Sequence, residues 1–299
     1  MNSAILCLDV GGTELKGAAV SPQGALLAPI RHFPANAQAS REALLEHLTR
    51  TLDALRQGDV TGAALAFPGP FDYENGICLL RGLDKYESLY GVNLRQALSE
   101  RLALPGDRIR FCNDVGAFAL GELGFGQAAG AEKAMFLCIG TGCGSAFGVN
   151  GALAGSETPG VPPHGYVYDT PFLEGRIDDY ISKRGLQALS RELLGQPLEG
   201  RELAERAGMG DEAAIGCFAA FGLRLRDAAA PFLRNFHPDC LCLGGQLTKS
   251  APLFTAPLEE LCNNTGHPPV RHHRHLPPRP PGPHKTLFQM KSRSPDILL

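Results

Sequence analysis

The chain has 299 residues, a formal net charge of −3 at pH 7 and a pI near 6.3. Such a charge gives no overall basic field, which argues against nucleic acid as a partner. The apolar runs are too short to cross a bilayer, and Asp9 interrupts the first run before it could act as a secretory leader. We therefore expect a cytoplasmic protein without membrane contact, long enough for two domains with separate cores.

The nine cysteines form neither a metal-binding nor a disulfide pattern. No CxxC pair occurs, and most of the cysteines lie inside apolar, strand-like runs. This distribution is typical of small buried thiols in a reducing compartment.

The first sixty residues alternate between strand and helix patterns. Residues 4–10 form an apolar run typical of a buried strand, and residues 17–20 and 25–30 indicate a hairpin and an extended segment. A helix is predicted over residues 40–57, with Ser40 as its N-cap and five leucines on one face.

Two more buried strands each run into a polar turn. Residues 62–67 lead into PGPFDYENG, and residues 109–112 lead into NDVGAFALGE, where Asn113 or Asp114 can cap a new helix. Strands that alternate with helices predict an α/β fold.

The pattern then begins again. Residues 135–139 and the following GTGCGSAFGVNGAL repeat the order of the N-terminal strand, glycine turn and second strand. Two copies of one hairpin indicate two domains of similar design, which we place at residues 1–115 and 116–265.

The last third is mostly helical until its composition changes. Helices are predicted over residues 176–194, 199–207 and 212–236, and Pro231 should kink or end the third. CLCLGGQLT then gives one more strand that closes in a double glycine. Residues 266–299 hold eight prolines and five histidines without a helix or strand period, so they are either a disordered tail or the product of a reading frame lost near Thr265.

The glycine-rich turns suggest phosphate chemistry. A strand that ends in glycines can present bare N–H groups to a phosphate, and Asp9 beside Gly11 and Gly12 can hold Mg²⁺ or its water shell. The alternative for DVGGT alone is a tight turn that needs positive φ. A second glycine loop at residues 140–144 favours the phosphate interpretation, since two such loops facing each other across a cleft could clamp a triphosphate.

Four ordered motifs, DVGGTELKG, FCNDVGAFALGE, LCIGTGCGSAFGVNG and HPDCLCLGGQLT, resemble the ROK family of sugar kinases and repressors within the actin-like ATPase superfamily. The match covers roughly residues 4–262. It implies two actin-like, ribonuclease H-like α/β domains around a nucleotide and sugar cleft, with ATP and Mg²⁺ as cofactors, a sugar as substrate and a possible homodimer. The nucleotide-binding residues that it implies are Asp9, Gly11, Gly12 and Thr13 in the first loop, Thr141, Gly142 and Gly144 in the second, and Gly244 and Gly245 on the adenosine side.

The resemblance also assigns Asp114 as the catalytic base. Phosphoryl transfer to a sugar hydroxyl needs a carboxylate that orients the hydroxyl and accepts its proton, and Asn113 can both donate to and accept from ring hydroxyls. The alternative for both residues is helix capping.

The chain departs from the family in the segment that normally binds sugar and zinc. The family's zinc-binding cysteines are absent here, so no zinc site is expected. EGRIDDYIS matches the family's GCLEDYIS and places Asp178 at a common sugar-binding glutamate, with a solvated helix acid as the alternative. Glu157 and His164 align loosely with two further sugar-binding positions, and an exposed loop histidine is the alternative for His164.

The leading hypothesis is therefore an ATP-dependent, glucokinase-like sugar kinase for a hexose or amino sugar. Two rivals remain open. One is a catalytically weakened sugar-binding protein, suggested by the missing zinc segment and the unusual tail. The other is a sugar-sensing transcriptional regulator without its DNA-binding domain, which is disfavoured because the first phosphate strand starts at Ala4.

Overall fold

A computed structural model describes residues 3–264 and 270–272 of the chain. Contacts divide these residues into two compact units, the first ending at Gly124 and the second beginning at Phe125. In the described part of the chain, no helix has the length and apolar character needed to cross a membrane.

The first unit is built on a five-stranded sheet in the order β3-β2-β1-β4-β7. β1 pairs antiparallel with β2 and parallel with β4, and β4 pairs parallel with β7. The elements are β1 (Ser3–Val10), β2 (Glu14–Val20), β3 (Arg31–Pro34), α1 (Arg41–Ala54), β4 (Asp59–Ala66), β5 (Phe71–Asp72), β6 (Ile77–Cys78), α2 (Leu94–Leu102), β7 (Ile109–Cys112) and α3 (Asp114–Gly124).

The second unit repeats this topology in the order β10-β9-β8-β13-β14. β8 pairs antiparallel with β9 and parallel with β13, and β13 pairs parallel with β14. The elements are β8 (Lys133–Ile139), β9 (Cys143–Val149), β10 (Ala152–Leu153), β11 (Pro171–Phe172), β12 (Gly175–Arg176), α4 (Ile177–Tyr180), α5 (Lys183–Leu194), α6 (Gly200–Gly208), α7 (Glu212–Phe236), β13 (Cys240–Gly244), α8 (Ala256–Asn264) and β14 (Val270–His272).

Local sequence explains most of these elements. The Ser40 side chain accepts a hydrogen bond from the Ala43 N–H at the start of α1, and four leucines of that helix are buried in the core of the first unit. The α/β class predicted from the sequence is confirmed, as are two sheets of similar design. The boundary predicted at residues 115 and 116 falls inside α3, whereas the first unit keeps this whole helix.

The structure confirms one of the long helix predictions and corrects another. α7 spans residues 212–236 as predicted, and Pro231 does not end it, because the apolar side chains around the exposed proline, among them Phe232, Leu233 and Phe236, are buried and hold the helix in place. The helix predicted over residues 176–194 is two helices. Ser182 caps the second of them, and its Oγ accepts from the Gly185 N–H.

A second correction concerns residues 266–299, in which the sequence shows no helix or strand period. Residues 270–272 form β14, which adds to the open edge of β13 with Leu241 opposite Val270. Backbone pairing at a sheet edge needs no hydrophobic period, so a short strand escapes composition-based reasoning. The other residues of this stretch lie outside the described ones. The two predicted explanations of their composition, a disordered tail and a reading frame lost near Thr265, therefore stay predictions.

The segment between β10 and β11 is fixed by one buried hydroxyl. Ser145 on β9 is 3% exposed, and its Oγ donates to the Gly165 carbonyl at 2.6 Å and accepts from the Val167 N–H at 2.9 Å. A buried polar group with both roles used anchors a loop firmly, because losing it leaves a donor and an acceptor unpaired.

We expect Ser145→Ala to lower the free energy of unfolding by about 1–3 kcal/mol, since two backbone groups lose their buried partner. Urea titration followed by circular dichroism measures this. Ser156→Ala, an exposed serine in the same segment, is the matched control and should stay within about 0.5 kcal/mol of the parent. Equal stability of the two variants would show that Ser145 does not anchor the segment.

Candidate functional site

Strand register brings two acidic positions of the first unit to one edge of its sheet. Asp9 on β1 lies opposite Ala66 on β4, and Ala66 lies opposite Cys112, the last residue of β7. Only β4 lies between β1 and β7, so Cys112 is two strand spacings, roughly 10 Å, from Asp9. Asp114, two residues after Cys112, emerges at the same edge of the sheet as Asp9.

The pKa of Asp9 depends on its desolvation and on two charged neighbours, one of which is Asp114. Asp9 is accessible to solvent, but the protein atoms around its carboxyl desolvate it and raise its pKa. Lys16 on the neighbouring strand lowers that pKa, and the charge of Asp114 raises it. The same two carboxylates add to the burial that raises the pKa of the Cys112 thiol. Asp9 and Asp114 thus share one electrostatic environment.

Close backbone contacts explain why the first glycine loop needs a glycine at position 11. Gly11 and Gly12 do not adopt positive φ. The alternative interpretation of DVGGT as a tight turn that needs positive φ is therefore wrong. A Cβ on Gly11 would instead lie 2.6 Å from the Glu14 carbonyl oxygen, to which the Gly11 N–H donates at 3.1 Å. Thr13 follows in an exposed position, and its carbonyl accepts from the Ala35 N–H.

Tyr86 holds this loop in place through a hydrogen bond to its backbone. The sequence did not predict this role. Its side chain is fully buried against Phe67, and its hydroxyl donates to the Gly11 carbonyl at 2.6 Å. Burial and the charge of Asp9 raise the pKa of the Tyr86 phenol, which therefore stays a donor. No local motif marks this tyrosine, because its partner lies 75 residues away.

Asn113 and Asp114 both accept backbone N–H hydrogen bonds at the start of α3. The Asn113 side-chain oxygen accepts from the Gly116 N–H and caps α3. Asp114 is exposed at the start of the helix, where its Oδ1 accepts from the Val115 N–H at 3.0 Å. Capping by Asn113 leaves the Asp114 carboxylate at the surface beside Asp9.

The second glycine loop, after β8, is held by a carboxylate of its own unit. The Gly140 N–H donates to the Gly142 carbonyl, and the Cys143 N–H donates to Asp178 Oδ1 at 2.7 Å. A Cβ on Gly142 would lie 2.6 Å from the same Asp178 oxygen. Thr141 at the tip is exposed, and Gly144 on β9 is half-buried. Glycine at position 142 is therefore required for the loop to reach Asp178.

The three residues predicted to bind sugar in the second unit have different surroundings. Asp178 accepts a hydrogen bond from the Cys143 N–H of the second glycine loop and also forms an ion pair with Arg184. Glu157 is exposed and accepts from the Gly155 N–H at 3.2 Å. His164 is exposed in a turn with φ of 57°, and its ring lies 6.0 Å from that of Tyr166.

A cavity of about 560 Å³ lies next to the second glycine loop. Its lining includes Gly140, Lys183, Gly200, Gln246 and Lys249. Gly245 follows Gly244 at the end of β13 with a φ of 90°, and a Cβ there would lie 2.4 Å from the Ile139 carbonyl oxygen. Glycine at position 245 therefore allows β13 to end close to the end of β8. The volume of the neighbouring cavity lies within the usual range of small-molecule pockets.

The donor set of the first unit fits a magnesium ion bound together with phosphate. No group of three histidine, cysteine or acidic side chains positioned to hold a metal occurs among residues 3–264 and 270–272. Mg²⁺ commonly uses one or two carboxylates plus substrate phosphates. Asp9 offers such a carboxylate, and its raised pKa indicates that a nearby cation would be favourable.

A family model described as "ROK family" matches residues 5–274 of the chain. The chain belongs to the ROK family. The glucokinase of Thermotoga maritima is 24% identical over 279 residues, covering 86% of each chain. The transcriptional repressor Mlc of Escherichia coli is 27% identical over 211 residues, covering 65% of this chain and 51% of the repressor.

Solved structures of ROK proteins share the fold. A ROK hexokinase from Thermus thermophilus superimposes with a TM-score of 0.76 at 20% identity, covering 91% of this chain and 93% of the other. A ROK glucokinase from Streptomyces griseus, solved with glucose and AMPPNP, gives a TM-score of 0.66 at 20% identity, covering 90% and 94%. At these identities the likeness establishes the actin-like fold of this ROK protein.

We expect Tyr86→Phe to loosen the first glycine loop while the ring stays packed. Losing the hydroxyl leaves the Gly11 carbonyl without this donor and should lower the free energy of unfolding by about 1 kcal/mol. Amide exchange of residues 11–14, measured by mass spectrometry, should become faster. Tyr90→Phe, at an exposed tyrosine of the same unit, should change neither quantity; identical exchange in both variants would contradict the role of Tyr86.

We expect Asp9→Asn to stabilise the folded protein at neutral pH. A raised folded-state pKa means that the ionised carboxylate disfavours folding above the ordinary aspartate pKa, and that this penalty vanishes when both states are protonated. The melting temperature of the variant should therefore exceed that of the parent near pH 7, and the difference should shrink toward pH 3. A lower melting temperature of the variant at pH 7 would contradict the desolvation of Asp9.

Proposed function

We propose that this ROK protein is an ATP-dependent sugar kinase that transfers the γ-phosphoryl group to a hydroxyl of a hexose or amino sugar. The proposal is supported most by one observation, namely the shared environment of Asp9 and Asp114 beside a glycine loop. Membership of the family alone does not decide the matter, because the family includes both a glucokinase and a repressor.

Asp114 is the proposed base. It is exposed at the start of α3, so a sugar hydroxyl can approach it. The carboxylate orients the hydroxyl toward the phosphorus and accepts its proton as the new P–O bond forms and the bond to the ADP oxygen breaks. Asn113, whose side-chain oxygen caps α3, is a proposed contact for a ring hydroxyl, since a carboxamide can both donate and accept.

Asp9 is the proposed magnesium-binding residue, directly or through water. When bound, the ion neutralises the phosphate oxygens during transfer. The N–H groups of Gly12 and Thr13 follow Asp9 in the chain and are candidate donors to the same phosphates.

The second unit is proposed to bind the rest of the nucleotide. The loop that carries Thr141, Gly142 and Gly144 offers backbone donors, and the cavity lined by Gly140 and Gln246 is a candidate site for adenosine. Gly244 and Gly245, which directly precede Gln246, stay predicted contacts on the adenosine side. Asp178, Glu157 and His164 stay predicted sugar contacts. A sugar that binds Asp178 would compete with its Cys143 and Arg184 partners.

We expect Asp114→Asn to lower kcat by about 10²–10⁴-fold, the usual contribution of general base catalysis, with a smaller effect on sugar KM. A coupled ADP-release assay with a panel of hexoses and N-acetylhexosamines measures this. Asp107→Asn, an exposed aspartate seven residues earlier, is the matched control and should retain parental activity.

Two outcomes would contradict the kinase proposal: no sugar stimulating ADP release in the parent, or full activity in Asp114→Asn. Calorimetry separates the remaining possibilities. Sugar binding without turnover would identify a sugar-binding protein with weakened catalysis, and sequence-specific DNA binding at physiological salt would identify a regulator.

A further inference from the structure

The charges around the first glycine loop do not by themselves favour an anion. Asp9 and Asp114 are both acidic, and Lys16 opposite Asp9 lies 3.8 Å from Glu14, which also lies 3.0 Å from His32. A magnesium ion offsets part of this negative charge, but a nucleotide's terminal phosphate carries more than one negative charge. A further cation near the loop would strengthen phosphate binding.

Lys85 lies where such a cation is needed. A Cβ placed on Gly12 would lie 3.4 Å from Lys85 Cδ, so the lysine stem passes over the exposed second glycine of the loop. Within the part of the chain that the structure describes, no ion pair involves Lys85. Gly12 also lines a cavity of about 410 Å³ together with Asp84, Asn36 and Gln38, so a ligand has room beside it.

The backbone around Lys85 is held in place on both sides. Tyr86 donates from its hydroxyl to Gly11 and from its N–H to the Ala37 carbonyl, and Glu87 Oε1 accepts from the N–H groups of Leu83 and Asp84. The lysine is therefore carried by a fixed turn that is bonded to the phosphate loop itself. Only its side-chain end needs to be ordered when an anion binds.

The geometry points to Lys85 as a phosphate-binding residue that contacts the terminal phosphate of the nucleotide at the first glycine loop. This role rests on the proposed function for its choice of ligand. The lysine replaces, from a distant turn, the cation that a P-loop carries within its own glycine motif. Its ammonium group donates charge-assisted hydrogen bonds to the phosphoryl oxygens both before and during transfer.

The experiment uses the full chain and measures binding in the absence of turnover. Calorimetry with AMPPNP and Mg²⁺ should show about tenfold weaker binding for Lys85→Met, the loss of one charge-assisted hydrogen bond. Adenosine should bind equally to parent and variant, because it has no phosphate. Lys85→Arg should recover most of the affinity.

Arg81→Met is the matched control, since Arg81 lies in the same segment but places its guanidinium over the Tyr90 ring, 5.5 Å from the centroid. It should bind AMPPNP like the parent. Unchanged AMPPNP affinity in a folded Lys85→Met variant would overturn the assignment, and so would an equal loss in Arg81→Met.

The two proposals can fail separately. If the parent phosphorylates sugars and Lys85→Met binds AMPPNP normally, the lysine assignment alone is wrong. If Lys85→Met weakens AMPPNP binding but no sugar is phosphorylated, the kinase proposal alone is wrong. Absence of binding of both AMPPNP and tripolyphosphate to the parent would overturn both.

Discussion

The parallel register of three strands is the constraint on which the rest of the first unit depends. Asp9, Ala66 and Cys112 form one row across β1, β4 and β7, so the residues that follow these strands meet at one edge. A shift of one residue in β1 would turn the Asp9 side chain to the opposite face of the sheet. Ala4, Leu6, Leu8 and Val10 belong to the buried core of the unit. Such a shift would remove all four from that core, which disfavours it. Packing of the core thus fixes the position of the carboxylate.

Both glycine loops are shaped by side chains that lie far away in sequence. In the first unit a buried tyrosine holds the Gly11 carbonyl, and in the second unit Asp178 holds the Cys143 N–H. The supporting groups differ, a hydroxyl that donates in the first unit and a carboxylate that accepts in the second, although the two sheets have the same topology. In each case a glycine lies where a Cβ would collide with backbone or with the supporting carboxylate. The glycines are therefore required by the shape of each loop, independently of the phosphate binding proposed for them.

Sequence reasoning located the elements whose signals are local. The strand before DVGGT, the Ser40 cap and the helix after Asn113 all depend on neighbouring residues, and the structure has them. It could not find Tyr86 or Lys85, because their contacts with Gly11 and Gly12 join positions more than seventy residues apart. It also missed β14, since pairing at an open sheet edge is a property of the folded chain. Of the two outcomes that it allowed for Pro231, a kink or an end of the helix, the end does not occur. The roles of the site residues stay predictions.

The segment without zinc-binding cysteines shows how one loop can be ordered by hydrogen bonds. Ser145 fixes residues 165 and 167, and Asp178, eleven residues further along, fixes the second glycine loop. Because Ser145 and Cys143 belong to the same strand, the segment is bonded at both ends to β9. A ligand that moved this segment would therefore also move the loop at the start of β9. Hydrogen bonds of a serine and an aspartate thus join this segment to the second glycine loop through one strand.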